Sequence, residues 1–344
     1  MDKPFKLFSL PKLALDDVLK FLNPIELFEL SQCSKKATDY VKQANTKNFR
    51  IQVNLSPDYV DVNGYVFYVG SNAHELRTFR QEDRIFSGKK AKTSKTVPQQ
   101  WFENRGFMTK DINAWMELYN CRKDSLISVF DDRSVGIRRV VSHLKELFKR
   151  NIYSLTIPSD PNSKKDFDMI IDGQSEIEEL VISRRSRTVE NLTELFDKLK
   201  VTESLELCED FSAVRNFPFT VKSIRIFVSS WITSNHLNLM KDCVVIQLKG
   251  STLTDQDVTS FLDKWKSGDY PNLQYLYIGS DNLSEDFTVF GLPTLHNFSG
   301  SPFEKQILGQ TRVIRCAADV EQNGRVVAKI KFTTSSKVIE LLVL

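Results

Sequence analysis

Histidine is scarce in this chain of 344 residues: His74, His143, His236 and His296 are the whole complement, none within five residues of another or at ligand spacing from a cysteine. The five cysteines, Cys33, Cys121, Cys208, Cys243 and Cys316, are equally dispersed, and no CxxC pair exists to close a local zinc chelate. A built-in RING is therefore excluded, and free thiols in a reducing compartment are expected. No GxxxxGKS/T, GxGxxG or GxSxG run occurs, so the compact phosphate cradles and the nucleophile elbow are missing. Acidic pairs such as Asp16-Asp17, Asp131-Asp132 and Glu178-Glu179 read as solvated faces rather than as acid–base machinery. No cofactor, metal or catalytic residue is expected.

Neither glycine (13) nor proline (11) is abundant, and 41% hydrophobic with 26% charged residues excludes a disordered or collagen-like chain. Charge of one sign is missing too: 47 Lys and Arg against 44 Asp and Glu leave +3, so no global field selects nucleic acid or an anionic membrane. No apolar run approaches the roughly 18–20 residues of a membrane helix. The opening MDKPFKLFSLPKLALDD acquires charges too early for a secretory signal. An intracellular protein, cytoplasmic and/or nuclear, is expected, with its four NxS/T sequons silent.

What is present begins at Ser9. Leu15, Val18, Leu19 and Leu22 recur at the spacing of one helical face; Asn23-Pro24 then caps and opens a second helix carrying Ile25, Leu27, Phe28 and Leu30. Ser34 caps a third, with Ala37, Tyr40 and Val41 at helical spacing. Three helices in so short a stretch cannot bury their apolar stripes among themselves, so some of that surface needs a partner. Leu10-Pro11, Leu15, Val18, Leu22, Pro24, Leu27, Leu30 and Ser34-Lys35 stand where an F-box places its LP, its apolar helix positions, its hinge and its SK. The segment resembles an F-box. That resemblance implies docking on a Skp-type adaptor through Leu10, Pro11, Leu15, Val18, Leu22, Pro24, Leu27 and Leu30, and through the adaptor a link to a cullin and a RING subunit. Leu13 departs from the pattern, standing where many F-boxes carry an acid.

Beyond the helices, RIQVNLSPDYVDVNGYVFYV alternates apolar and polar residues around Asn63-Gly64, a strong hairpin signal because both turn residues accept positive φ. Residues 77–95 then hold seven basic and two acidic residues, a local +5 able to contact phosphates on nucleic acid or on a phosphorylated ligand, although aromatics for base stacking are sparse. SVGIRRVVSHLKELFKR reads as an amphipathic helix presenting Val140, Leu144, Leu147 and Phe148 to a core.

From Ile152 to Ile278 a short pattern recurs: IYSLTI, IEELVI, TESLEL, VKSIRI, CVVIQL and LQYLYI, centred on Leu155, Leu180, Leu205, Ile224, Ile246 and Leu276. The centres are 19 to 30 residues apart, in or next to the leucine-rich-repeat range. Between them lie helical faces, Leu192, Leu195, Phe196 and Leu199 in one and Val258, Phe261, Leu262 and Trp265 in another, the latter opened by a Thr254-x-x-Asp257 capping box and stopped near Gly268. Stacked strand–turn–helix units bury a continuous core and leave one strand face open. The residues flanking the buried centres, Glu206, Arg225, Phe227, Gln247, Lys249, Tyr275 and Tyr277, are expected on that face, unless a covering loop buries the two tyrosines.

The stretch from Trp231 through Leu237, VVIQL, Asp255 to Asp257, Phe261-Leu262, Trp265, Gly268 and LQYLYI resembles the type 2 F-box-associated domain of nematode F-box proteins. The remainder, TRVIRCAADVEQNGRVVAKIKFTTSSKVIELLVL, reads as a β-meander capping the repeats: one strand, an Asn323-Gly324 turn, a second strand with Val326, Ala328, Ile330 and Phe332 alternating, and a third after Ser335-Ser336. The expected fold class is α+β with an α/β repeat: an F-box over 1–48, a hairpin and helical linking region over 49–150, an irregular leucine-rich-repeat-like β/α domain over 151–290, and a meander cap over 291–344. The implied function is substrate recognition in a Skp–cullin–F-box ubiquitin ligase, with an unknown protein substrate and no membrane partner. The alternatives are a protein-interaction module without ligase delivery, and nucleic-acid or phosphate binding through 77–95.

Overall fold

The computed structural model describes residues 7–44, 48–55, 58–71, 125–130, 133–158, 173–183, 192–212, 217–292 and 302–344. The basic segment 77–95 lies outside them. Contacts divide the chain into two compact units, one of Met1–Thr156 with Asn162–Gln174, the other of Ile157–Pro161 with Ser175–Leu344.

The first unit opens with helices α1 (Lys12–Phe21), α2 (Pro24–Cys33) and α3 (Lys35–Ala44). The start of α2 is fixed from both sides: Asn23 Oδ1 accepts from the Glu26 amide at 2.9 Å, Glu26 Oε2 accepts from the Asn23 amide at 2.8 Å, and Pro24 occupies the first turn, where no amide proton is missed. Ser34 Oγ accepts from the Ala37 amide at 3.1 Å and caps α3. Strands β1 (Ile51–Leu55), β2 (Asp58–Val62) and β3 (Tyr65–Ser71) run antiparallel, and Asn63 and Gly64 turn the chain between the last two with φ of 53° and 90°. Strand β4 (Ser125–Phe130) pairs parallel to β3, helix α4 (Arg133–Phe148) follows, and β5 (Ile152–Pro158) returns parallel to β1. The result is a mixed sheet ordered β5-β1-β2-β3-β4.

Helix α4 packs against both this sheet and the N-terminal helices α2 and α3. It buries Val140, Leu144, Leu147 and Phe148 as its spacing predicts, and Ile137 and Val141 besides. Gly136 lets its first turn approach β4: a Cβ there would meet the Phe130 ring and stand 2.9 Å from Val69 Cγ1. Phe28 of α2 lies edge-on to Phe67 of β3 and to His143 of α4, both at 5.2 Å. Beside it Ser31 and Gln32 are buried, and Ser31 Oγ lies 2.9 Å from His143 Nε2.

The second unit carries β6 (Glu176–Ser183), α5 (Leu192–Lys198), β7 (Lys200–Leu207), β8 (Ser223–Ile226), α6 (Ser234–Leu239), β9 (Val245–Ser251), α7 (Asp255–Lys266) and β10 (Tyr275–Ser280). The five strands are parallel in sequence order. Register aligns the recurring centres in one row, Leu180 opposite Leu205, then Ile224, Ile246 and Leu276, all fully buried. Leu155, the first centre, lies in the part of β5, through Thr156, that belongs to the first unit. The connecting helices are unequal, and the β7–β8 connection shows none among the described residues, so this portion is a mixed sheet with few helices. The Thr254–Asp257 box forms at α7, which ends before Gly268 at φ 98°, and Val258, Phe261, Leu262 and Trp265 are buried beneath it.

The C-terminal part differs from its expected form. The stretch read as one strand across Thr311 to Gln322 breaks around Cys316, at φ 54°, into β12 (Gln310–Ile314) and β13 (Ala318–Gln322). β12 pairs with β11 (Phe303–Ile307) in a separate two-stranded hairpin, whereas β13, β14 (Arg325–Thr333) and β15 (Val338–Val343) form the antiparallel meander, with β15 alongside β10. Val326, expected to alternate inward with Ala328, Ile330 and Phe332, is exposed beyond the irregularity at Val320/Glu321.

Candidate functional site

Two surfaces stand out. On α1, Leu15 and Leu19 point into the first unit, while Leu13 and Phe21 are 81% and 89% exposed. The helix thus has an apolar stripe inward and large apolar side chains outward, the second of which folding does not require. Pro11 is exposed as well, and Leu10, Val18, Leu22 and Leu30 are half-buried. Leu15, Pro24 and Leu27 are buried within the unit. Near this surface Glu29 has its carboxyl held above the usual range by burial and by neighbouring Glu26.

The second surface is the sheet face of the second unit opposite the leucine row. Glu206, Arg225, Gln247 and Tyr277 occupy successive strands β7 to β10 in register, and they are half-buried. Arg225 Nη1 lies 3.4 Å from Glu206 Oε2. Two residues along, Lys249 sets its ammonium 4.6 Å over the Phe227 ring and 5.8 Å from the Tyr277 ring centre. Phe227 is 37% exposed.

Tyr275 does not share that exposure. It is 6% exposed, because the β11–β12 hairpin lies over it: Ile307 and Ile314 join Val245, Tyr275 and Leu342 in one apolar cluster, and the Arg312 guanidinium stands 4.8 Å over its ring. Its hydroxyl donates to Glu340 at 3.0 Å, and burial with that carboxylate drives its pKa upward. Both tyrosines are expected on the open face with a covering loop as the alternative; the hairpin buries Tyr275 and leaves Tyr277 half-buried.

Elsewhere in the unit, an open pocket of about 660 Å³ lies against α7, where Asp255 accepts from the Ser284 amide at 3.0 Å and hydroxyl at 2.5 Å. Among the described residues no three His, Cys, Asp or Glu side chains converge as a metal site, and no helix is long and apolar enough to cross a membrane.

Residues 7–48 match the F-box domain family, and residues 213–278 match the family described as F-box associated. The chain carries an F-box and an F-box-associated domain. It is also similar to a Caenorhabditis elegans protein, the uncharacterized protein F59B2.9, at 25% identity over 291 residues, which is 79% of this chain and 62% of that relative, less than two thirds of its length. No solved structure matches.

The F-box is the three-helix segment carrying the exposed Leu13 and Phe21. Phe21 escapes the sequence reading because it falls off the Leu15–Leu19 stripe, although a second apolar position on a short amphipathic helix is a legible signal. The F-box-associated match spans β8 through most of β10 and so includes Arg225, Phe227, Gln247, Lys249, Tyr275 and Tyr277, with Glu206 outside it. Within it Trp231 donates Nε1–H to Val228 O at 3.1 Å and packs on Phe217 and His236, Leu237 is buried, and the Cys243 thiol is pushed up to about 12 by burial. Arg312, which reaches the face from the hairpin, has no counterpart in the sequence reading.

Proposed function

We propose that this chain is a non-catalytic substrate-recognition subunit of a Skp–cullin–F-box ubiquitin ligase, its F-box docking on a Skp-type adaptor and its second unit holding a protein target inside the cell. The single observation carrying this reading is the F-box match on helices that fold with Leu13 and Phe21 left open to solvent. The half-buried Leu10 and Leu22 and the exposed Pro11 extend that surface, while Leu15, Pro24 and Leu27 act by holding the helices in place. Cullin and RING subunits supply the chemistry, and the chain contributes proximity, raising the effective concentration of target lysines around the charged E2. Functionally the chain divides into an F-box over 1–48, a linking region over 49–150, a repeat-like receptor over 151–290 and a cap over 291–344. The candidate target face is Glu206, Arg225, Phe227, Gln247, Lys249 and Tyr277, with Tyr275 as its support.

An adaptor pull-down tests it. Phe21→Asp and the double change Leu10→Ala/Pro11→Ala should each abolish or strongly reduce adaptor retention with circular dichroism unchanged. Full retention by both folded variants overturns the docking assignment.

A further inference from the structure

The open face of the second unit offers more cationic donors than there are acceptors to receive them. Gln310 Oε1 accepts from Arg225 Nη2 and also from Arg312 Nη2 at 3.0 Å, so two guanidinium groups share one neutral acceptor. Glu206 supplies a carboxylate to Arg225, but among the described residues neither Arg312 nor Lys249 is in an ion pair with a carboxylate. The Nε–H groups of Arg225 and Arg312 are buried with no partner among the described residues. Glu340, opposite Tyr277 on β15, accepts from the Tyr275 hydroxyl at 3.0 Å. Burial and the adjacent Arg225 lower the proton affinity of Arg312, as expected of like charges held together out of water. Next to the arginine pair, along the same strands, Lys249 stands over the Phe227 ring and beside that of Tyr277.

We propose that this strip selects its target by charge: it takes an acidic peptide segment, with a carboxylate seated against Arg225 and Arg312, a second one at Lys249, and an apolar side chain against Phe227 and Tyr277. The inference rests on the reading of this face as the receptor and names the class of segment it receives. A charged carboxylate is a stronger acceptor for the two guanidinium groups than the single neutral Gln310 oxygen they now share, and a guanidinium offers it two parallel N–H groups. The lysine is a compact charge already held in place by the rings, so less side-chain freedom is lost on binding.

The test uses the full chain and a fluorescein-labelled peptide alternating aspartate with phenylalanine, read by fluorescence anisotropy beside its asparagine and phosphoserine counterparts. The aspartate peptide should bind, weaken as salt is raised, and exceed the asparagine peptide by about tenfold or more, the loss typical of one charge-assisted hydrogen bond. Lys249→Gln and Arg312→Gln should each weaken it about as much while hydrogen exchange in β6 to β10 stays as in the wild type. No binding of the aspartate peptide, equal binding of the asparagine peptide, binding confined to the phosphoserine peptide, or unaffected variants would each overturn the proposal. A Phe227→Ser/Tyr277→Ser variant separates this from the receptor reading, through the set of cellular proteins each form of the chain captures. If that variant empties the set while aspartate and asparagine peptides bind alike, the face is a receptor without charge selection. If it changes nothing, the receptor reading falls as well.

Discussion

Replacing Phe28 by alanine probes whether the F-box is an appendage or part of the fold that follows it. Phe28 is 1% exposed, with its ring edge-on to Phe67 of β3 and His143 of α4. A buried aromatic removes roughly 150–250 Å² from water, about 4–6 kcal/mol at 25 cal/mol per Å², part of which alanine retains. The expected loss is therefore about 3–5 kcal/mol, a large share of the roughly 5–15 kcal/mol that holds a domain folded. Phe21→Ala, at a side chain almost fully in solvent, should change stability by no more than about 0.5 kcal/mol. Because the chain has two compact units, a single melting temperature would mix their responses; hydrogen exchange read peptide by peptide resolves them. Phe28→Ala should lower protection in 24–33, in 65–71 and in 133–148 together. Loss confined to 12–44, with α4 protected as in the wild type, would refute the claim that helix and sheet share one core with the F-box.

Gly136→Ala should destabilise the first unit by about 1–3 kcal/mol, since its methyl group meets the Phe130 ring and Val69; an unchanged urea midpoint for loss of α4 would contradict that packing. At the start of α7, hydrogen bonds from Thr254 hold the Asp257 carboxyl below its ordinary 3.8, so its contribution is complete above that value and is lost as pH falls through the lower folded value. Denaturation midpoints at about pH 5 and about pH 3 should accordingly differ less in Asp257→Asn than in the wild type. Cys243, buried and pushed up to about 12, should resist iodoacetamide at about pH 8 in the native protein while exposed Cys33 is alkylated, as peptide mass spectrometry will read.

Much of this architecture is legible in the chain because the decisive signals are local. Asn63-Gly64, the Asn23-Pro24 hinge and the Thr254–Asp257 box each specify backbone geometry within a few residues, and the recurring centres mark strands whose middle residue must be buried. What escapes is set by tertiary contact. The β11–β12 hairpin turns at Leu308-Gly309, with φ of 48° and 75° but without the Asn or Asp that announces such turns, so neither the hairpin nor which of the two tyrosines it covers is visible in advance. Arg312 meets Arg225 only because that hairpin folds over the sheet, 87 positions along the chain. On α1 the inward stripe of Leu15 and Leu19 is clear, yet the periodicity that identifies it gives no weight to Leu13 and Phe21, which lie off the stripe.

The placement of β15 against β10 has an evolutionary consequence. An open parallel array lengthens by duplicating its last module, since each new strand finds a free edge waiting. Here the edge of β10 is occupied by a strand of opposite direction, so tandem duplication at that point has no hydrogen-bonding seat. Length changes that keep this strand order would fall in the strand-to-strand connections, at the rim of the sheet.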